Sequence, residues 1–417
     1  MRERLRSVVE VARPWVVGPV TVGHGVNEFL SIVLPPVIPL LVADFGISYS
    51  QAGFLLTVFF LMYLLFQLPA GILGDRIGQS RLIVVGLFAM AVGIGIASVA
   101  ESYGTLLVAQ AIAGIGGSTF HPAGMSIISD VEGSATEGRA MGVFGFGGAI
   151  GTMTAPVVVG GLAAIAGWRV ALAGGAVLAL AVTLVSGPGL LRARGDDGTS
   201  PATDGGQERS TSTRVRAALS AARVPITARI VVLFCITLVL SMQARGIQTF
   251  TTAYVSAETG SSLAAGNFSF FTLLVGGSLA SLWAGGLADR VDRSKLGAVV
   301  SGVTALLVAG NLVVVPLLST LPQLGILAVL SGWFALIGVG VYAAYPVKNA
   351  LVSTEADVAS SGSLFGLIQT ASAVGSAAGP AVFGVVATRF GVAAAFPSIA
   401  LTGVALAGLF GLLGVVD

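Results

Sequence analysis

Apolar runs of about 18 residues or more recur along this chain from end to end, and a helix of that length crosses a hydrocarbon core. They lie near 16–42, 51–70, 82–100, 105–128, 140–164, 170–191, 229–255, 263–286, 296–317, 324–350, 363–387 and 392–415. Of the 417 residues only 10% are charged and 55% are hydrophobic, whereas a soluble domain carries about a quarter charged residues. The expected fold class is an all-α membrane protein with about twelve transmembrane helices.

The opening residues MRERLRSVVEVARPW are charged, and the first apolar run is too long and proline-rich for a signal peptide. It is read as a retained span. With a cytoplasmic N-terminus, Arg2, Arg76, Arg81, Arg139, Arg216, Arg290 and Lys295 all fall in cytoplasmic segments, while the outer loops keep only Arg169 and Arg389. That is the positive-inside pattern, and it predicts a multi-pass protein of the cell membrane with both termini cytoplasmic. The polar stretch 192–228, rich in Gly, Ser, Thr and charge, reads as a cytoplasmic linker with a surface helix near 215–223. It divides the chain into six-helix halves, 1–191 and 229–417.

Several chemistries are set aside. The single cysteine, Cys235, excludes a disulfide framework and any cysteine-based metal site. The two histidines stand in separate spans and form no HExxH pair, so no metal site and no cofactor is expected. GFGGAIG (145–151) and GIGGS (114–118) lack the Lys-Ser/Thr and the strand-to-helix setting of phosphate loops; inside apolar spans they read as packing faces. No nucleophile-base set stands out, so an enzyme is not expected, and nothing points to nucleic acid. A small-molecule substrate, a proton and the bilayer are the expected partners of a monomer.

The halves repeat. AGILGDRIGQSRLIVV (70–85) matches AGGLADRVDRSKLGAV (284–299), setting Asp75 on Asp289. TFHPAGMSIIS (119–129) matches AAYPVKNALVS (343–353), and GTMTAPVVVG (151–160) matches GSAAGPAVFG (375–384). HGVNEF (24–29) aligns with RGIQTF (245–250), setting Arg245 on His24 and Gln248 on Asn27. Such order points to duplication of a six-span unit. In each repeated loop an Asp-Arg pair offers a charged contact at a helix end, with glycines permitting close approach. This reads either as a gating clasp (Gly71, Asp75, Arg76, Arg81; Gly285, Asp289, Arg290) or as a tight charged turn.

These two loops resemble the signature loop of the major facilitator superfamily. GTMTAPVVVGG, with Gly151, Pro156, Gly160 and Gly161, resembles the Gly-Pro motif of that family's proton antiporters, although Ala155 stands for the usual glycine. HGVNEF, STFHPAG and ARGIQTF look like the fosmidomycin-resistance type of exporter. Gln110 stands where many antiporters carry arginine. Glu132 and Arg139 resemble a recurring family ion pair, with Glu137 as a competitor and a solvated loop as the plainer reading.

His24, Asn27 and Glu28 fall at i, i+3 and i+4, on one face of the first span. A charge at the bilayer centre costs at least about 2.5–3.5 kcal/mol, so such residues face an interior or a pathway. The resemblance implies that spans 1, 4, 7 and 10 line a central cavity. On those spans lie His24 and Glu28, His121, Arg245 and Gln248, then Tyr345 and Lys348. The competing reading is that His24 and Glu28 bond to each other or to Arg245 and only fix helix packing. The functional reading makes Glu28 and His24 the proton-coupling groups, with Asn27, His121, Arg245, Gln248, Tyr345 and Lys348 binding substrate. The expected function is proton-coupled export of a small organic compound by alternating access; the alternative is a symporter or facilitator taking up a small organic anion.

Overall fold

The structure is a computed structural model that describes residues 11–133, 136–192, 226–318, 321–355 and 361–416. Most of the linker at 192–228, including the expected surface helix, lies outside the described residues, as do Arg2 and the last residue. Among the described residues helix is the only regular structure. A hydrocarbon surrounding leaves few alternatives, because helices satisfy their backbone N–H and C=O groups internally.

Among the described residues ten helices are long and apolar enough to cross a membrane. One of them, Glu137–Arg192, is really two helices folded back on each other, broken where Gly167 takes φ +83°, so that Gly174 and Gly175 pack beside Leu162 and Val159. It supplies spans 5 and 6. A further span, the fourth, is made of Tyr103–Gly117 and Phe120–Val131, interrupted at Ser118 and Thr119. With these two resolved, twelve spans follow one another at the places read from the sequence. Span 1 is Pro14–Phe45, span 2 Tyr49–Ile77 and span 3 Gln79–Ser98. Span 7 is Ala228–Thr259, span 8 Leu263–Ala288, span 9 Arg293–Leu317, span 10 Gln323–Thr354, span 11 Ser361–Phe390 and span 12 Val392–Leu413.

The repeated loops turn by different means. Between spans 2 and 3 the turn is made by Gly78 at φ +96°, a region that disfavours side chains. The second copy has Asp292 at this place, with φ −58° and a carboxylate that accepts from the Lys295 N–H. A backbone solution in one copy becomes a capping solution in the other.

Span 5 lies directly on span 1. A Cβ on Gly151 would stand 1.9 Å from the Gly25 carbonyl oxygen, and one on Gly147 would stand 2.5 Å from that of Thr21. The glycine runs are packing faces, as read from the sequence. Gly160 does the same for span 8, where a Cβ would meet Asn267 at 2.4 Å, while Gly161 has open space beside it. Pro156 is buried within span 5.

The two ends of the molecule differ. At the end away from the repeated loops the sequence halves are pressed together. Asn267 donates to the Pro36 carbonyl at 3.1 Å, the Ser50 N–H to the Thr388 hydroxyl at 2.7 Å, and the Thr57 hydroxyl to the Ala377 carbonyl at 2.8 Å. Gly53 sits so close to Pro380 that a Cβ would fall 2.1 Å from its carbonyl oxygen. Toward the repeated loops the halves part. Span 2 shows both conditions: Leu55, Leu56 and Phe59 are buried, whereas Leu65, Phe66 and Leu68 are exposed.

Candidate functional site

The gap between the halves holds a cavity in two connected chambers. One, of about 330 Å³, is lined by His24, Asn27, Glu28, Tyr63, Gln67 and His121 of the first half and by Arg245, Gln369, Ser372 and Ser376 of the second. The other, of about 640 Å³, shares Glu28, Arg245, Ser372 and Ser376 and runs toward the repeated loops past Phe146, Met153, Leu279 and Leu282, with Gln248, Tyr342 and Tyr345 in its wall. The first chamber is mixed in polarity and the second mostly apolar.

Span 5 shapes the first chamber by closing on His24. A Cβ on Gly148 would stand 2.5 Å from the imidazole Cε1. The ring is stacked on Phe144, centroids 3.9 Å apart, and its Nδ1 lies 2.8 Å from the Phe144 carbonyl oxygen. His121 meets His24 edge to face at 4.9 Å, and its Nδ1 is 2.7 Å from the Tyr63 hydroxyl. Between the rings lies Glu28, whose Oε1 is 3.8 Å from His24 Nε2 and 3.8 Å from His121 Nε2. The Asn27 amide turns the other way and donates to the Gly117 carbonyl and the Met90 sulfur, both at 3.3 Å.

Span 7 contributes the opposite charge. Arg245 donates to Gln248 Oε1 at 2.8 Å and lies over the Phe60 ring, 4.5 Å from its centroid. Gln248 in turn donates to the Tyr342 hydroxyl, and Tyr342 stacks on Tyr345. Arg245 and Glu28 share the cavity wall but form no ion pair; the guanidinium is held by Gln248 and Phe60. The competing reading, in which Glu28 bonds directly to Arg245, does not describe this arrangement: the guanidinium is met by Gln248 of its own half and by Phe60 of the other.

The structure brings together His24, Asn27, Glu28, His121, Arg245, Gln248 and Tyr345 as cavity-lining residues. Lys348 is not among them. One turn beyond Tyr345, it is buried among helices and lines neither of these two chambers. Tyr63, Phe60, Gln67, Tyr342, Gln369, Ser372 and Ser376 were missed, because single polar or aromatic residues in an apolar span carry no distinguishing pattern. Tyr342 had one usable signal, its place a helical turn before Tyr345. Gln110 is buried and lies outside both chambers. His24, Glu28 and His121 are also placed to hold a metal ion, their ligand atoms all lying within 4.8 Å of one another.

At the parted end, Asp75, Arg76, Arg81, Asp289 and Arg290 are exposed. Asp75 accepts from Gln79 at 3.2 Å, and Asp289 pairs with Arg293 at 3.5 Å, each within its own loop. Gly71 has nothing within 4 Å of its Cβ position and Gly285 has only Pro346 at 3.9 Å, whereas a Cβ on Gly74 would stand 2.3 Å from Gln79 Oε1 of the next span, so the close approach expected of Gly71 and Gly74 is made at Gly74 alone. Glu132 does not pair with Arg139. It accepts from the backbone N–H groups of Ala12 and Arg13, both at 3.0 Å, at the start of span 1. Burial opposes its charge, yet these bonds and one from Thr136 hold its carboxyl below the usual carboxylate range. Glu137 accepts from Ser129 at 2.6 Å.

Known proteins share both the pattern and the shape. The Major Facilitator Superfamily model matches residues 20–380. The riboflavin transporter RibZ of Clostridioides difficile (strain 630) is 31% identical over 130 residues, 31% of this chain and 28% of that protein. The fosmidomycin resistance protein of Escherichia coli (strain K12) is 26% identical over 143 residues, 34% of this chain and 35% of that protein. The chain thus aligns with about a third of the length of these relatives. A bacterial homolog of the human lysosomal transporter Spinster, solved in an inward-facing and occupied conformation, superposes with a TM-score of 0.74 at 16% identity, covering 97% of each chain. The duplicated loops, the paired sets of spans around a cavity and the family match lead to one conclusion: this multi-pass membrane protein belongs to the Major Facilitator Superfamily of transporters.

Proposed function

We propose that the protein is a proton-coupled exporter of a small organic compound, working by alternating access of two six-helix halves, 1–191 and 229–417. The observation that carries this reading is the placement of Glu28 and Arg245, opposite charges on repeat-related spans, in one cavity sealed at one end and parted at the other. Basic loops favour assigning the parted end to the cytoplasm, so the arrangement is read as the one that loads substrate from inside. Glu28, beside two imidazoles, is the proton carrier; Arg245, Gln248, Tyr342 and Tyr345 orient the polar part of the substrate, and the apolar chamber takes its body. Release of the substrate on the far side and uptake of a proton by Glu28 return the carrier, with the Asp75 and Asp289 loops closing the cytoplasmic end in the outward-open state. The name of the fosmidomycin resistance relative supports export.

One observation favours the second reading, uptake of a small organic anion with a proton. Arg245, Gln248 and Tyr342 form a donor-rich cradle suited to a carboxylate or phosphonate. Everted vesicles separate the two, with fosmidomycin and riboflavin as probes. Export by antiport accumulates the probe in an acidified lumen, and Glu28→Gln removes that accumulation. Accumulation only in right-side-out vesicles with external acid would replace antiport by symport. Uphill movement that survives Glu28→Gln would refute Glu28 as carrier.

A further inference from the structure

The meeting of His24 with Glu28 has an unusual polarity. His24 Nδ1 stands 2.8 Å from a carbonyl oxygen, an atom that only accepts, so Nδ1 carries the hydrogen and the neutral ring presents a lone pair at Nε2. That lone pair faces the Glu28 carboxylate, itself an acceptor, at 3.8 Å. Nε2 is buried without a hydrogen-bond partner, in a residue only 7% exposed. His121 Nε2 stands 3.8 Å from the same carboxylate oxygen, with its Nδ1 tied to the Tyr63 hydroxyl. Two imidazole nitrogens and a carboxylate converge on a small space, His121 Nε2 joining as an electron-pair donor when its Nδ1 donates to the Tyr63 hydroxyl, and the outer nitrogen of each ring is engaged elsewhere.

We propose that His24, Glu28 and His121 form a binding site for one divalent transition-metal ion of the zinc class. Two imidazoles and one carboxylate are a ligand set that zinc accepts, leaving a fourth position open; calcium and magnesium prefer oxygen alone. Zinc bonds of about 2.0–2.2 Å put tetrahedral ligands about 3.4 Å apart. Each His–Glu pair, at 3.8 Å, therefore needs to close by a few tenths of an ångström, and the ligand atoms farthest apart, within 4.8 Å, by up to about 1.4 Å, within reach of side-chain rotation. The Phe144 carbonyl and the Tyr63 hydroxyl hold the rings from behind, the outer support typical of metal-binding histidines. The open position faces the cavity. All three ligands belong to spans 1 and 4 of the same half, so the site travels as a unit and stays formed when the halves rock. A bound ion occupies the lone pairs around Glu28 and so blocks transport, but the inference stands on the ligand geometry and not on proton coupling.

The test uses the untagged full chain carrying Cys235→Ser, which removes the only thiol, and titrates it with Co2+ and then Zn2+. Expected are one Co2+ per chain, the strong visible absorption of a four-coordinate ion, and its loss on adding Zn2+. Glu28→Gln and His121→Ala should each weaken binding at least about 100-fold, and Tyr63→Phe, which touches no ion, by about 10-fold. Thermal unfolding of each variant without metal checks folding; if Glu28→Gln does not fold, His121→Ala decides. No binding tighter than about millimolar, or equal affinity in the folded variants, overturns the site. Neither outcome bears on whether Glu28 carries the proton, which the vesicle experiment reads separately.

Discussion

Spans 1 and 7 hold equivalent places in the duplication yet deliver opposite chemistry. His24 and Glu28 put an imidazole acceptor and a carboxylate into the cavity; at the matching places span 7 carries Arg245 and Thr249, and Thr249 merely donates to the Arg245 carbonyl within its own helix. The scaffolds did not diverge in this way. Gly151 and its counterpart Gly375 both lie against the backbone of a neighbouring span, where a Cβ would fall 1.9 Å from the Gly25 oxygen and 2.1 Å from the Leu238 oxygen. The ends of spans 4 and 10 also repeat a tie by different atoms. Glu132 caps the backbone at the start of span 1, while Glu355 accepts from the Arg229 side chain at 2.8 Å at the start of span 7. Backbone-to-backbone packing tolerates almost no change, because an added methyl overlaps a carbonyl, whereas a side chain facing a cavity is free to change its chemistry.

The strongest way to break this division of labour is at the cavity. Glu28→Gln should reduce gradient-driven transport to background in vesicles, whereas Thr249→Val, at the matching place, should leave it within about twofold and shift stability by no more than about 0.5 kcal/mol. Comparable losses in both would show that the halves share the coupling. Gly148→Ala comes next: its methyl must displace the His24 ring, and overpacking of this kind costs about 1–3 kcal/mol in thermal unfolding and should impair transport with it. Arg245→Lys retains the charge but not the planar fork, so substrate binding should weaken about tenfold, about 1.4 kcal/mol, in a titration with the transported probe.

The helix-end ties give the smallest effects. Glu132→Gln should destabilise by about 1 kcal/mol, since two N–H groups lose an ionised acceptor. The folded-state pKa of Glu132 is lowered, so its contribution is present at neutral pH and disappears as the pH falls through that depressed value. Unfolding midpoints of wild type and Glu132→Gln should therefore converge in acid. Glu355→Gln, in a partly exposed pair, should cost less, about 0.5 kcal/mol; a larger loss there than at Glu132 would reverse the ranking.

Much of the fold was legible because hydrophobic length and repeat are coarse signals. The twelve runs, the two loops and the glycine faces could all be placed, and the polar residues of spans 1, 4 and 7 were found because a charge in lipid is expensive. The same rule picked out Lys348, which lies outside the two chambers, since burial between helices shelters an amine from lipid as well as a cavity does. The contact of Arg245 with Phe60 depends on how far apart the halves stand, and a linear pattern does not record that separation. Nor could it show His24 meeting His121, because a search for ligands within one short motif misses those joined only by helix packing.

The sealed end has a consequence for kinetics. Among the described residues its cross-half contacts include hydrogen bonds to carbonyl and hydroxyl groups, glycine-to-backbone contacts and the edge-on rings of Tyr49 and Phe250, with no ion pair crossing the seam. Attraction between exposed charges fades with added salt over a distance of about 8–10 Å; contact forces ignore salt but lose much of their strength within about an ångström of separation. Such a seam yields as a latch does, holding until it gives way all at once. The rate at which it opens should stay level from dilute buffer to concentrated salt.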